Sequence, residues 1–361
     1  MNKLSVSAAS EIDSLLELSA RLGSEPMLVQ AATGNTSFKL DGVLWIKASG
    51  KWLSDATQNE IFVPVNLSET RRRIAQKTDP AGQTAVVGGK TLGTSVETAM
   101  HAVMPHRVVV HVHSVNTIAW AVRQDGPEEL AKRLAGIPWQ WIPYVPSGLQ
   151  LAASVEAAMT NHPETEVLVL ANHGLVVGAG DCASAEALLR EVERRVEIKP
   201  RRSPEPDWAL LSRAAESGVW RVPPSMGIHA MGTDLVTRRI VLGGVLYPCQ
   251  AIFLTTAAKT FDADVSSRFL AAVDEPFVML EGAGTLVRKK PNPTESATLS
   301  GLAWVLQRIP ESAPLRYLQK DQVQDLLCAD VYHYREVVEE SGAGHLAFRQ
   351  TSVLASESPV A

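Results

Sequence analysis

Two histidines separated by one valine end a hydrophobic run, Arg107-Val-Val-Val-His-Val-His-Ser114. The β-branched valines favour a buried strand. Residues two apart on a strand point to the same face, so His111 and His113 converge on one point. Two imidazole nitrogens arranged in this way are typical of a divalent metal site, in which zinc–nitrogen distances are about 2.0–2.1 Å.

A third histidine, His173, follows a second predicted strand, Val167-Leu-Val-Leu170, in a His-Gly turn where glycine permits close backbone approach. Three neutral imidazoles leave coordination positions open, as catalytic zinc sites do. Glu97 lies in the first turn of a predicted helix that begins near Thr94, where a carboxylate is favoured by the helix dipole. We expect Glu97 to face the metal as a general acid/base.

The elements around these residues alternate between helix and strand. A hairpin turn at Asp41-Gly42 precedes a strand over residues 43–47. Helical spacing of apolar residues predicts helices over residues 9–22, 149–159 and 183–196. This alternation indicates an α/β domain with a central sheet flanked by helices.

A segment in the second half of the chain is similar in sequence to one in the first half. Residues 277–287 resemble residues 167–177, with Gly284 opposite Gly174 and Ala283 in the place of His173. A helix-like stretch over 294–307 follows, as 183–196 does in the first half, and we therefore predict a diverged repeat without metal ligands. A proline-containing linker over 197–207 divides the chain. The predicted domains are a metal-binding catalytic domain over 1–199 and an α/β domain over 200–361, with a disordered tail after about residue 350.

Bulk properties narrow the classes of function. The 361 residues carry a net charge of −5 without a basic block, which argues against nucleic acid as a partner. Three widely spaced cysteines, Cys182, Cys249 and Cys328, do not form a disulfide framework and fit a reducing compartment. Neither an apolar signal core nor a stretch of about 18 apolar residues is seen, so we expect a cytoplasmic protein without a membrane span.

Taken in order, five short motifs resemble the pattern of the class II aldolase/adducin family, typified by fuculose-1-phosphate aldolase. The similarity covers about residues 20–197 and is closest to the aldolase part of fused rhamnulose-phosphate aldolase/dehydrogenases. No glycine-rich dinucleotide loop follows, so we expect the dehydrogenase part to be absent. The five motifs are Gly34-Asn35, Ser49-Gly50, Ser95 with Glu97, His111 with His113, and His173-Gly174.

The resemblance implies a three-layer αβα sandwich with a mainly antiparallel sheet, usually assembled as a homotetramer with sites between subunits. It implies a divalent ion, most often zinc, with manganese, iron and cobalt as alternatives. It implies these roles: His111, His113 and His173 as metal ligands, Glu97 and Tyr144 as catalytic residues, and Asn35, Ser49, Gly50, Thr94 and Ser95 as ligands of the substrate phosphate.

The activity implied is reversible aldol cleavage of a sugar phosphate or sugar acid through a metal-stabilised enediolate. Decarboxylases, dehydratases and epimerases of the family share the metal ligands. A glutamate at position 97 favours an aldolase, a decarboxylase or a dehydratase over an epimerase. A non-catalytic, adducin-like interaction protein is the alternative of a different class, and the complete ligand set argues against it. One departure from the family pattern is Val96, which separates Ser95 from Glu97.

Overall fold

The valine run that carries the histidines forms the central strand of the main sheet. The computed structural model describes residues 6–87 and 90–327, so that Cys328 and the tail predicted after residue 350 lie outside the described residues. The helices are α1 Val6–Gly23, α2 Leu67–Ala75, α3 Thr98–Val103, α4 Val115–Ala121, α5 Gly126–Arg133, α6 Leu149–Asn161, α7 Cys182–Val196, α8 Trp208–Ala214, α9 Met226–Thr233, α10 Leu235–Leu242, α11 Pro248–Phe253, α12 Ser267–Ala271, α13 Pro293–Arg308 and α14 Lys320–Leu326. The strands are β1 Asn35–Leu40, β2 Val43–Lys47, β3 Phe62–Asn66, β4 Thr84–Val87, β5 Lys90–Gly93, β6 Val108–Val112, β7 Trp139–Ile142, β8 Val167–Leu170, β9 Gly174–Ala179, β10 Trp220–Arg221, β11 Thr260–Phe261, β12 Phe277–Leu280 and β13 Gly284–Arg288.

Seven strands form the main sheet, in the order β3-β2-β1-β6-β9-β8-β7. Every neighbouring pair is antiparallel except β7 with β8. The registers place Asn35 opposite His111 and Leu170 opposite Gly174. The predicted mainly antiparallel sheet is therefore confirmed, and its register brings three of the sequence motifs to one end of β6.

Helices cover both faces of this sheet. Val108 and Val110 contact the apolar residues of α1 and α7, whereas Val109 packs with those of α3 and α6. The valines alternate between the two faces because successive residues of a strand point in opposite directions. A sheet buried on both faces reads as a continuous apolar run, which explains the sequence of β6. The predicted three-layer αβα arrangement is confirmed.

A second, four-stranded sheet lies in the C-terminal half, in the order β10-β13-β12-β11. Its hairpin β12–β13 pairs Leu280 with Gly284, as β8–β9 pairs Leu170 with Gly174. Each hairpin has a parallel neighbour, β11 or β7, and each is followed by a long helix, α13 or α7. We propose that the second hairpin is the diverged copy that the sequence suggested, with Ala283 in the position of His173.

The two halves share a hydrophobic core, in which Val115 and Ile118 of α4 pack with Leu302 and Leu306 of α13. The connecting residues 197–207 contain neither helix nor strand. The guanidinium of Arg201 nevertheless forms an ion pair of 2.9 Å with Asp234. The connection is thus irregular, as predicted, but fixed to its surroundings, and the division at residue 199 stays a prediction. In the described part of the chain, no helix combines the length and apolar character needed to span a bilayer.

Candidate metal centre

The three histidines singled out from the sequence lie together. His111 is in β6, His113 follows that strand directly, and His173 lies in the turn between β8 and β9. The centroids of their rings form a nearly equilateral triangle with sides of 5.0, 5.0 and 5.1 Å. One nitrogen of each ring lies within 4.8 Å of the others, and all three residues are buried. Three converging imidazoles of this kind are suited to a divalent ion with open coordination positions.

Close contact between β9 and β6 accounts for the glycine after His173. A Cβ atom at Gly174 would lie 2.6 Å from the carbonyl oxygen of Val112 and 3.3 Å from Cε1 of His111. Only a residue without a side chain allows the turn to approach β6 this closely. Asn172, the residue before His173, adopts a left-handed conformation with φ of 53°, which asparagine tolerates better than most residues.

A backbone hydrogen bond orients His111 for metal binding. Its Nδ1 lies 3.0 Å from the carbonyl oxygen of Leu175. Because a carbonyl only accepts, Nδ1 must carry a proton, which leaves Nε2 as the nitrogen that can bind a metal. This arrangement is the usual one for a histidine that binds a metal through its other nitrogen. His113 directs its own Nε2 to the same place, 3.1 Å from Nε2 of His111.

The carboxylate of Glu97 lies against the histidines. Its Oε2 is 3.3 Å from Nε2 of His111, and its Oε1 is 3.2 Å from Nε2 of His173. Asn35 donates a hydrogen bond of 2.7 Å to Oε2, whereas Oε1 is buried and accepts no hydrogen bond from the described residues. Buried carboxylate oxygens are normally paired. An unsatisfied one beside three imidazole nitrogens fits a centre that is completed by a cation.

The electrostatics of the group favour the forms that bind metals. Burial opposes ionisation of Glu97, but His111, His173, His113 and the Asn35 hydrogen bond outweigh it and lower the pKa of the carboxyl to about 2. Burial lowers the pKa of His173 to about 4, despite the nearby Glu97 charge, and lowers the pKa of His113 well below its usual value. At neutral pH these shifts favour an anionic carboxylate at Glu97 and neutral rings at His113 and His173.

The helix that follows Glu97 begins later than the sequence indicated. Helix α3 begins at Thr98, with Glu97 as its N-cap, because the chain first turns at Ser95, whose carbonyl accepts from Thr98 N at 3.1 Å. His101, one turn into the helix, is fully buried and lies 2.7 Å from Ser37 Oγ through its Nδ1. Its Nε2 contacts Oδ1 of Asn35. His101 thus fixes the orientation of the Asn35 amide. The sequence signal for a role of His101 near the site was its spacing of four residues, about one helical turn, from Glu97.

The residues expected to bind a substrate phosphate lie beside one another. The backbone N–H of Ser49 donates to Gly93 at 2.9 Å, and Ala48 forms a β-bridge with Thr94. Asn35 Nδ2 lies 3.2 Å from Ser95 Oγ, which links this turn to Glu97. Gly50 has φ of 70°, a conformation that favours glycine. The structure therefore brings together all five residues, and their substrate contacts stay a prediction.

Lys47 is a component of this region that the sequence did not reveal. Only 2% of its surface is exposed, and its Nζ donates hydrogen bonds of 2.7 Å to the carbonyls of Ala32 and Lys51. It thereby joins the segment before the Gly34-Asn35 turn to the Ser49-Gly50 turn. Burial lowers the pKa of Lys47 to about 7, although the negative charge of Glu97 acts in the opposite direction.

Two features lie apart from the histidines. Tyr144 is half-buried against Val245, Ala251 and Leu318 of the C-terminal half, and burial together with Asp325 raises its pKa to about 12. It takes no part in the hydrogen bonds around Glu97, so its catalytic role stays a prediction. A groove of about 750 Å³ runs between α2 and α6, but none of the residues given above for the metal centre lines it. The donor set, rather than cavity size, identifies the site.

The C-terminal half also contacts the centre. Cys249 of α11 is buried, and its Sγ lies 3.4 Å from Nδ1 of His113. Burial, with the charge of Glu97, raises the pKa of Cys249 to about 12, so the sulfur is a neutral thiol. The sequence had indicated only a small buried apolar residue at this position.

Comparison with known proteins gives relatives that match about half of the chain. A Bacillus subtilis (strain 168) protein, described as the uncharacterized oxidoreductase YuxG, is 26% identical over 180 residues, which are 46% of this chain and 26% of that protein. The chain therefore spans about a quarter of the length of that relative.

Among solved structures, the N-terminal class II aldolase domain of a Thermoplasma acidophilum protein is 22% identical, with a TM-score of 0.44, over 54% of this chain and 96% of that one. L-fuculose-1-phosphate aldolase from Thermus thermophilus is 20% identical, with a TM-score of 0.36, over 52% of this chain and 92% of that one.

The family assignment comes from the sequence itself. Residues 13–199, just over half of the chain, match the family model described as the class II aldolase and adducin N-terminal domain. These residues include the three histidines and Glu97. Membership supports a metal-dependent activity of the aldolase or epimerase type. The chain belongs to the class II aldolase and adducin N-terminal domain family.

Proposed function

We propose that this protein is a metal-dependent carbon–carbon lyase that reversibly cleaves a sugar phosphate or a related sugar acid by an aldol reaction. The observation that supports this most directly is the position of Glu97. Its ionised carboxylate is held by Asn35 on one oxygen, while the other oxygen is unsatisfied and lies 3.2 Å from Nε2 of His173. A carboxylate placed in this way can exchange protons with a substrate bound at the three histidines.

His111, His113 and His173 would hold the metal, for which zinc is our first choice and manganese, iron or cobalt are alternatives. When bound, the ion would supply a Lewis acid that stabilises negative charge on the substrate oxygen during cleavage of the carbon–carbon bond. The lowered pKa values of His113 and His173 suit them to this role, because a protonated imidazole does not bind a metal.

Glu97 would handle the proton of the reaction. In the cleavage direction the carboxylate would first accept the proton of the substrate hydroxyl that becomes the new carbonyl, and Oε1 would then deliver that proton to the carbon left by bond breakage. In the reverse direction Oε1 would remove the proton from carbon and return it to the hydroxyl that forms. The hydrogen bond from Asn35 keeps Oε2 in place, so the carboxylate does not rotate away from the reacting carbon. Only 5% of Glu97 is exposed, so bulk water has little access to a carbanionic centre beside it.

Substrate recognition would depend on the turns next to Glu97. The proposed phosphate ligands are Asn35, Ser49, Gly50, Thr94 and Ser95, and all of them except Gly50 carry a small polar side chain. The backbone N–H groups of Ser49 and Thr94 are already bonded to Gly93 and Gln83, so these two residues would act through their hydroxyls. Lys47 would keep two of these turns at a fixed separation through its bonds to Ala32 and Lys51. We further propose a homo-oligomer, with a tetramer as the first expectation, in which Tyr144 would act at the site of a neighbouring subunit.

Product analysis distinguishes the reactions that share these ligands. The purified protein, loaded with zinc or manganese, would be incubated with ketose 1-phosphates and sugar acids, and the products measured by mass spectrometry. An aldolase releases two carbonyl fragments, a decarboxylase releases carbon dioxide, a dehydratase product lacks the mass of water, and an epimerase product keeps the substrate mass. Two carbonyl fragments, absent after chelation of the metal, are expected. Turnover of any panel member by one of the other three routes would replace the aldolase proposal.

A further inference from the structure

One candidate ligand, His113, and the residue that precedes another, Asn172, contact a short segment of the C-terminal half, residues 246–250, which lies outside the residues that match the family. His111 has its Nδ1 partner within the main sheet, at Leu175. The Nδ1 of His113 instead contacts Cys249 in the C-terminal half, which lies 136 residues further along the chain. The histidine centre is therefore supported by both halves of the molecule.

The second contact passes through Asn172, the residue before His173. Its side-chain Nδ2 donates hydrogen bonds of 2.8 Å to two carbonyls of the C-terminal half, those of Leu246 and Arg316. Its backbone N–H donates to Ala121 at 2.9 Å. Asn172 is fully buried and left-handed, so the turn that presents His173 is bound at three points. Two of these three points belong to the second half.

The 246–250 segment is itself held firmly. Gln250, which is 1% exposed, accepts a hydrogen bond of 2.9 Å from the N–H of Leu246 and donates one of 3.2 Å to the carbonyl of Gly244. The carbonyl of Val245 accepts from the N–H of Leu318 at 2.8 Å. A segment with its polar groups satisfied in this way can impose an orientation on the side chains that it contacts.

From these contacts we infer that Cys249 and Asn172 are positioning residues of the metal centre, through which the C-terminal half orients His113 and His173. The inference rests on the proposed metal site. A thiol is suited to the contact with His113 because it both donates and accepts weakly. When Nε2 of His113 coordinates a metal, the ring proton lies on Nδ1 and is donated to Sγ. The partner of a ligating histidine commonly changes metal affinity by about 10–100-fold when it is removed.

Cobalt binding to the full chain tests the inference. Cobalt(II) affinity would be measured by competition with a chelator, together with the visible absorption spectrum of the bound ion, for wild type, Cys249→Ala, Cys249→Ser and Asn172→Gly. Glycine at position 172 keeps the left-handed backbone and removes only the amide. Cys182→Ala is the matched control, since Cys182 is half-buried at the start of α7 and packs there against the core between α1 and the main sheet. Thermal unfolding of each metal-free variant would show that it is folded.

We expect Cys249→Ala and Asn172→Gly to bind cobalt about 10–100-fold more weakly than wild type and to shift its spectrum, with Cys249→Ser nearer to wild type and Cys182→Ala unchanged. Wild-type affinity and spectrum in both Cys249→Ala and Asn172→Gly would overturn the inference while leaving the metal site intact. Equal losses in the alanine and serine variants of Cys249 would overturn the hydrogen-bonding role, since packing alone would then explain the effect. Failure of wild type itself to bind cobalt would overturn both the metal site and the inference.

Discussion

Asn35 lies directly opposite His111 in the antiparallel pairing of β1 with β6. This pairing places the amide of Asn35 at the same end of the sheet as the imidazole, where its Nδ2 donates to Glu97 and its Oδ1 contacts His101. Two motifs far apart in sequence thus meet through sheet register alone. A shift of the pairing by one residue would turn Asn35 to the opposite face.

Asn35→Ala is expected to impair proton transfer by Glu97. Loss of the amide removes a hydrogen bond that lowers the pKa of the carboxyl, so that pKa should rise and the carboxylate should lose its fixed orientation. A hydrogen bond to a charged group contributes about 1.5–3 kcal/mol, which corresponds to roughly a tenfold or larger loss of turnover. The measurement is turnover as a function of pH, and the acidic limb of this profile should shift to higher pH. Asn59→Ala, at an exposed position, is the control, and an unchanged profile in Asn35→Ala would contradict the role.

Glu97→Gln separates metal binding from proton transfer. The amide keeps the shape of the side chain but cannot exchange a proton at neutral pH, so turnover should fall by about 10²–10⁴-fold. Metal content should be unchanged, because the three imidazoles would still hold the ion. Turnover and bound metal would be measured on the same preparation, beside Glu60→Gln at an exposed position. Turnover equal to wild type would remove Glu97 from the mechanism.

Gly174→Ala should disturb the centre from the backbone side. The added Cβ would lie 2.6 Å from the carbonyl of Val112, so β9 must move away from β6 and take His173 with it. We expect weaker metal binding and a loss of about 1–3 kcal/mol in the free energy of unfolding, as in other overpacked cores. Gly180→Ala is the matched control, because a Cβ there meets nothing within 4 Å. Metal affinity and urea unfolding would be measured for both variants, and equal behaviour would show that the close approach is dispensable.

Lys47 predicts a pH dependence of stability. Burial lowers its pKa in the folded chain to about 7, against about 10.4 in the unfolded chain. Between these values the unfolded chain binds a proton that the folded chain has released, so stability rises with pH. The free energy of urea unfolding should therefore increase between pH 7 and pH 9 more steeply in wild type than in Lys47→Met. Lys39, whose pKa is also lowered to about 7 by burial, is present in both proteins and cancels in the comparison. Parallel pH profiles would show that Lys47 stays charged.

Local sequence signals predicted the part of the site that lies in the main sheet. The alternation rule for strands applies to His111, and the glycine after His173 marks a close backbone contact that the structure contains. The order of the motifs predicted the three-layer fold, because it resembles one family pattern over about half the chain. These features depend on residues that are close in sequence, or on the order of the five motifs along the chain.

Other contacts could not be predicted, because they depend on how distant elements pack. Cys249 meets His113 only after the C-terminal half folds against α4. Lys47 ends an apolar strand, where a lysine normally extends into solvent, yet two carbonyls bind it inside the protein. Helix α3 begins at Thr98 rather than near Thr94, since the preceding residues form the turn that brings Ser95 to Asn35.

Metal content of the purified protein tests the central claim most directly. Wild type and the His111→Ala/His113→Ala double variant would be analysed by elemental mass spectrometry, before and after incubation with zinc and manganese and removal of the excess. We predict about one divalent ion per chain in wild type and almost none in the double variant, because catalytic zinc sites have three protein ligands and the variant keeps only one of the three histidines. Absence of metal from both proteins after incubation would contradict the three-histidine centre and favour an interaction protein that shares the fold.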